Sequence, residues 1–461
     1  MNAVLFSIIA YVLIQFAIGV WVSRRIASAQ DFILAGRQLG PGLVAFSVFA
    51  TFFGSEAIVA TGSTVYENGL NGALVDPLAY AVALIIVGSL FARALWSRGL
   101  TTFADLFRQR YSPGVERLVV IVLIPGSVIW AAVQIRAFGQ VMEANSGMGL
   151  KSAIVIAAVL VGSYSVVGGL LADSITDVVQ GLVVLIGMVI LGAVVAGHVG
   201  GVSAGLATVE PARLAFSNAD DGVLGTLEKI AIPICGTIVA VELISRFLGA
   251  RSAEVAARGT VLGGSIYLAV GLIPVFLGLM GAQLMPNVPD SEQIVARLAE
   301  HYMPGPLYIV FIGAIISAIL SVVHAALHAP AAQISHNLIE PMNPKLSDIG
   351  KLWSVRMTVL VLSVVAALIS FSSERIKDLI ETASAFGSAG IFVATLFALF
   401  TRIGGPVSAY VSVASGMIVW AGGKYVLGIG TPYLLGLLAA LVGYLGAAVL
   451  EPRFQTSVNG R

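Results

Sequence analysis

The run Gly168-Gly169-Leu170-Leu171-Ala172-Asp173-Ser174-Ile175-Thr176-Asp177-Val178-Val179-Gln180 joins two apolar stretches, 153–171 and 175–197. A helix that crosses a bilayer needs roughly 20 mostly apolar residues, and both stretches are close to that length. The junction reads as the seam between two membrane spans, with Asp173 and Asp177 inside the pair. Working outward, similar runs fall at 4–22, 43–65, 73–95, 118–140, 224–248, 261–284, 303–329, 355–373, 376–401, 409–426 and 434–450. The sequence therefore predicts an all-α integral membrane protein with thirteen transmembrane helices joined by short connections.

Composition agrees. Of 461 residues, 58% are hydrophobic and only 11% charged, against about 25% charged in an ordinary soluble domain. So little charge cannot cover a water-facing surface of this size, which excludes a soluble enzyme and a disordered chain. The 25 Lys and Arg against 24 Asp and Glu leave a net charge of +1, so there is no basic footprint for a nucleic acid. The single cysteine, Cys235, excludes a disulfide framework and a multi-cysteine metal site. The 51 glycines suit helices whose backbones approach closely.

The first span has no positive residue before it, and Arg24 and Arg25 follow it. A signal peptide has the opposite order, so this span reads as a retained helix with its N-terminus outside. Alternating from there puts seventeen of the 25 Lys and Arg inside and eight outside, as the positive-inside rule requires. Arg136, near an outer end, reads as snorkelling to the interface. The C-terminus is then cytoplasmic.

Gly and Pro are frequent in membrane helices, but matching interruptions in two halves point to a transporter's binding site. Span 2 contains Phe53-Gly54-Ser55-Glu56, and span 7 contains Ile232-Pro233-Ile234-Cys235-Gly236. Spans 2–6 and 7–11 form two blocks of five, and an odd block size inverts the second relative to the first. This predicts an N-terminal extra helix (1–30), a first inverted repeat (31–200), a second (201–402), and two C-terminal extra helices with a short tail (403–461). Broken helices are expected in spans 2 and 7.

The Gly168–Gln180 run, written out above, resembles the signature of the sodium:solute symporter family, Gly-Gly-Leu-x-Ala-x-x-x-Thr-Asp-x-x-Gln. Two further segments are similar to that family: Asp31-Phe32-Ile33-Leu34-Ala35-Gly36-Arg37, and Thr102-Phe103-Ala104-Asp105-Leu106-Phe107-Arg108-Gln109-Arg110-Tyr111. The resemblance runs over essentially the whole chain. It implies the leucine-transporter type of fold and secondary import of a small organic solute, usually with Na+ as coupling ion.

The same resemblance places backbone ligands for Na+ at Ala50 and Phe53, and further ligands at Ala318 and Ser321. The fifth position is Val322, which has no side-chain oxygen. A second sodium site of some members would use Asp177 with serines at positions that are here His324 and Ala325. His324 therefore has two readings. It forms a proton-coupling pair with Asp177, histidine being the side chain that titrates near neutral pH; or it is a structural, hydrogen-bonding residue while Na+ drives transport. His328, one turn on, reads as lining a wet cavity or capping local polar groups rather than binding metal, and no metal beyond sodium is expected.

A carboxylate at the depth of Glu56 costs about 2.5–3.5 kcal/mol on insertion scales. Glu56 either meets a substrate amine, carries a coupling proton, or accepts hydrogen bonds from the interrupted helix. Glu242 lies four residues before Arg246, ordinary helical pair spacing, and reads as structural. The chain also resembles the family's choline branch at Trp130 and Phe52, whose aromatic faces would attract an ammonium group. The third cage position falls on Ala240, which adds no ring. Gln134, one turn beyond Trp130, is a candidate hydrogen-bonding partner for substrate. The sequence therefore does not support choline itself, while a small cationic or zwitterionic solute stays open.

The rival functions are a proton-coupled or Na+-independent transporter using His324 and Asp177, and a transporter-like membrane sensor. A sensor would continue into signalling domains, whereas this sequence ends about ten residues after its last span. No nucleotide loop, nucleophile elbow or metal cluster suggests an enzyme or an organic cofactor. The expected partners are the solute and the lipid bilayer, with no nucleic acid and no obligatory protein partner. The family resemblance suggests a bacterial inner membrane.

Overall fold

The computed structural model of the chain describes residues 3–24, 26–216, 222–371 and 376–451. Arg25, Arg375, Arg453 and Arg461, used in the orientation argument, lie outside the described residues. Helices dominate: α1 (Ala3–Ser23), α2 (Pro41–Phe52), α3 (Thr61–Asn68), α4 (Tyr80–Ile86), α5 (Asp105–Arg110), α6 (Pro113–Ser146), α7 (Leu150–Val167) and α8 (Leu170–His198). The second half holds α9 (Gly222–Ile238), α10 (Val241–Leu248), α11 (Ala253–Leu284), α12 (Gly305–Gln333), α13 (Asp348–Ile369), α14 (Ile376–Ala385), α15 (Ser388–Phe400), α16 (Pro406–Ala421) and α17 (Pro432–Leu450). Among the described residues, β pairing is limited to one isolated bridge, Leu39 to Ala250.

Local sequence explains where the long helices start. Ser112 and Ser252 accept hydrogen bonds from the amides of Val115 and Val255, both at 3.2 Å, so each satisfies one of the unpaired donors at a helix N-terminus. Pro113 follows the first of these caps, where its missing N–H costs nothing.

Ten helical stretches among the described residues are long and apolar enough to cross a membrane. The chain is thus a multi-pass membrane protein. The exposed side chains of α13 show why: Leu360, Val361, Val364 and Leu368 stand outward, a face stable only against hydrocarbon. By contrast, α12 is buried on all sides from Ala314 to Gln333, as a helix apolar all round must be. It packs on α6 and α8, and α2 packs on α8 and α11.

Two departures from regular helix near the middle of this core frame the site, one after α2 and one after α9. After α2, Phe53 adopts φ −89°, ψ 68°, and Phe53 and Gly54 form a bend before the chain is helical again from Ser55. In the second half the interruption is not at 232–236. Those residues lie inside α9, Pro233 included. The chain departs from helix instead at Val239 and Ala240, with Ala240 at φ −66°, ψ 116°. Proline inside a membrane helix is tolerated when neighbours satisfy the freed backbone groups, so Pro233 alone does not locate a break.

Candidate functional site

The bend after α2 is held by one turn of α6. Gln134 accepts a hydrogen bond from the Ser55 amide at 3.2 Å and donates to Glu56 Oε2 at 2.6 Å. Trp130, one turn earlier on α6, donates its indole N–H to Glu56 Oε1 at 2.9 Å. Both carboxylate oxygens of Glu56 are therefore occupied by protein donors. Gly54 makes this approach possible, because a Cβ there would lie 2.6 Å from Glu56 Oε2 and 2.7 Å from Val322 Cγ2.

Between the two interruptions lies a cavity whose walls include Phe52, Glu56, Trp130, Ala240 and Glu242. Tyr80, Tyr267 and Phe386 complete its aromatic surface. The Phe52 ring stands 5.5 Å from the Trp130 ring and 6.4 Å from Tyr80. No Lys, Arg or His is among the described lining residues. Two buried polar atoms in the wall, Glu242 Oε1 and Thr237 Oγ1, have no hydrogen-bond partner. An unpaired buried polar atom is costly, so both are suited to a bound solute.

Glu242 is the residue the sequence reading misplaced. Its expected helical partner, Arg246, turns away to α8 and α2. Arg246 forms an ion pair with Asp173, lies 3.8 Å from Asp177 Oδ2, and donates from Nε to Thr51 Oγ1 at 2.9 Å. Two carboxylates on α8 outcompete one on its own helix. The signal was present in the sequence, since Asp173 and Asp177 are one turn apart and share a face of α8.

The residues expected to hold Na+ are all buried: Ala50 and Phe53 at the end of α2, Ala318 and Ser321 on α12. Ser321 donates its hydroxyl to Asp177 Oδ1, and Ser47 donates to Asp177 Oδ2 at 2.5 Å. Asp177 thereby ties α2, α8 and α12 together beside these residues. Val322 presents a methyl group at the bend, where the family pattern has an oxygen.

The expected pairing of His324 with Asp177 is not the one present. His324 Nδ1 lies 2.9 Å from Oδ1 of Asp173, one turn nearer the start of α8. Asp177 is already engaged by Ser47 and Ser321. Tyr164 meets the His324 ring edge-on at 5.3 Å, and His328 stacks on it at 5.6 Å. His328 Nε2 in turn lies 2.9 Å from the Phe32 carbonyl oxygen, so it serves packing of the segment before α2.

A second polar network joins the ends of α5, α6 and α12. Thr102 donates to Asn337 Oδ1 at 2.7 Å, and Asn337 Nδ2 donates to Asp105 at 2.8 Å and Glu116 at 2.7 Å. Asp105 also accepts the amides of Thr101 and Thr102. Burial alone would push the Asp105 carboxyl up, but the His336 ring and these amides outweigh it and hold it below the usual carboxylate range. This network explains part of the Thr102–Tyr111 segment.

A model of the sodium:solute symporter family matches residues 32–404. The human high affinity choline transporter 1 is 25% identical over 480 residues, covering 99% of this chain and 80% of that protein. The sodium/pantothenate symporter of Escherichia coli strain K12 is 24% identical over 394 residues, covering 82% and 80%. Among solved structures, a Na+-coupled sialic acid symporter in a substrate-bound, outward-open state superposes with a TM-score of 0.82 at 16% identity, over 98% of both chains. A nucleobase-cation-symport-1 family transporter in a closed conformation gives 0.63, covering 92% and 96%. The architecture is that of a membrane transporter with the leucine-transporter type of fold. The chain belongs to the sodium:solute symporter family.

Proposed function

We propose that this chain imports a small organic cation through the cavity between its two helix interruptions, with Na+ as coupling ion. The observation that carries the reading is the character of that wall. It bears two carboxylates and five aromatic rings, and no basic side chain among the described residues. Aromatic faces attract ammonium groups, and a cation would compensate the Glu242 carboxylate. An anionic solute would meet two carboxylates and no counter-charge. That favours the choline transporters over the pantothenate symporter as a guide to solute class. With only Phe52 and Trp130 at the choline-cage positions, the carboxylate carries more of the recognition than the cage does.

Na+ is assigned to Ala50, Phe53, Ala318 and Ser321, where the end of α2 meets α12. The wider arrangement we adopt has thirteen spans and two inverted repeats, 31–200 and 201–402. The helices are interrupted after Phe52 and at Val239–Ala240, and transport proceeds by alternating access. The orientation has the N-terminus outside and the C-terminus inside, in a bacterial inner membrane, with no protein partner required.

The test is binding to the purified protein, read as melting temperature. Choline, ethanolamine and pantothenate are each titrated in Na+ and in K+ at equal ionic strength. A ligand that binds only the folded state stabilises it by about 2.7 kcal/mol at a hundred times Kd. The reading requires a cation to stabilise, more in Na+ than in K+. Stabilisation by pantothenate alone would reverse the assignment of solute class.

A further inference from the structure

The cavity between the two interruptions takes its rings and its open oxygens from different segments. Phe52, Tyr80, Trp130, Tyr267 and Phe386 supply the rings. The second interruption, Thr237 to Glu242, carries no ring and supplies two oxygens instead. Thr237 stands in the last turn of α9 and Glu242 in the first turn of α10. Each is only 3% exposed, and Thr237 Oγ1 and Glu242 Oε1 have no hydrogen-bond partner. Several polar groups elsewhere in the wall are already engaged. Glu56 is held by Trp130 and Gln134. The hydroxyls of Tyr80, Tyr267 and Ser388 bond to Ser384, Asp76 and Tyr433.

Both open oxygens can accept a hydrogen bond, and no Lys, Arg or His among the described lining residues supplies a donor. The donor must then come with the solute. A primary or secondary ammonium brings its charge together with at least two N–H groups. A quaternary ammonium brings the charge alone and sets methyl groups against the oxygens, which stay buried and unpaired at a cost. Aromatic faces attract both kinds of ammonium, so the rings do not choose between them. We propose that the solute is a primary or secondary ammonium compound, and that Thr237 and Glu242 select it over a quaternary one.

The inference rests on the cation reading of the cavity and narrows it from cations in general to those that carry N–H groups. The two selecting oxygens belong to the interruption itself, where a transporter places its substrate contacts. The rings belong to the helices around it.

The test is calorimetric titration of the detergent-purified protein in Na+ buffer with ethanolamine, N-methylethanolamine and choline. The three share a hydroxyl and differ only in methylation of the nitrogen. Ethanolamine and N-methylethanolamine are expected to bind at least about tenfold more tightly than choline, the smallest factor that an unpaired buried acceptor implies. This first readout uses the wild-type protein and needs no variant. In the second, Thr237→Val removes one acceptor and should narrow the gap, whereas Thr237→Ser keeps the hydroxyl and should keep the gap. Choline binding as tightly as ethanolamine overturns the inference and leaves the cation reading standing. A gap as wide in Thr237→Val as in wild type overturns the role given to Thr237. Binding of pantothenate with none of the three amines bound overturns the cation reading and this inference with it.

Discussion

Replacing Gln134 by alanine tests the role of α6 in holding the bend after α2. Gln134 is fully buried and serves two partners, the Ser55 amide and Glu56 Oε2. Truncation leaves a buried N–H without an acceptor, at about 1–3 kcal/mol. It also removes a hydrogen bond to a carboxylate, worth about 1.5–3 kcal/mol. The two losses sum to roughly 3–5 kcal/mol, because both arise at one small site and are not fully additive. In a chain of this length that corresponds to a fall in melting temperature on the order of 5 °C. Trp130→Phe removes only the indole bond to Glu56 and keeps the ring beside Phe52, so its fall should be about half as large. The assay is thermal unfolding of detergent-purified protein at neutral pH, with wild type and both variants side by side. A Gln134→Ala protein that melts with wild type would refute the idea that these hydrogen bonds stabilise the bend.

Other predictions concern ions, solute and pH. Ser321→Ala should abolish the Na+-specific rise in melting temperature. Val322→Ser, which restores an oxygen at the position facing Gly54, should shift that Na+ titration to lower concentration by about tenfold, equivalent to about 1.4 kcal/mol. Glu242→Gln should weaken binding of a stabilising cation by at least about tenfold while leaving the Na+ response of the solute-free protein in place. The Asp105 carboxyl is held below its ordinary value in the folded chain, so its contribution to stability is present above the unfolded value of about 3.9 and fades as pH falls through the lower, folded value. Asp105→Asn should therefore lower the melting temperature at neutral pH and flatten its decline on acidification; an unchanged acid limb would show that Asp105 does not drive it.

Membrane architecture was legible because it depends on bulk properties. Long apolar runs and scarce charge leave few alternatives, and the Gly168–Gln180 signature narrowed them to one family. The bend at Phe53–Gly54 was readable because glycine and a nearby acidic residue interrupt an apolar helix together. Its counterpart was misplaced because Pro233 drew attention, whereas the chain departs from helix at Val239 and Ala240, which carry no local signal. Side-chain partnership was the least legible level. Spacing of four residues suggested that Glu242 pairs with Arg246, and family position suggested that His324 faces Asp177. Both pairings lost to geometry between helices: Arg246 finds two carboxylates on α8, and Asp177 is saturated by Ser47 and Ser321. That Glu242 keeps an oxygen, Oε1, without a partner depends on those competitions across the fold and on no single segment.

The most direct test of the account is uptake by proteoliposomes of labelled choline and, separately, labelled ethanolamine, with an inward Na+ gradient compared against an equal K+ gradient. The account predicts Na+-driven accumulation of at least one of the two cations, lost in both Glu242→Gln and Ser321→Ala. Accumulation of labelled pantothenate under the same gradient, with neither cation entering, would contradict it.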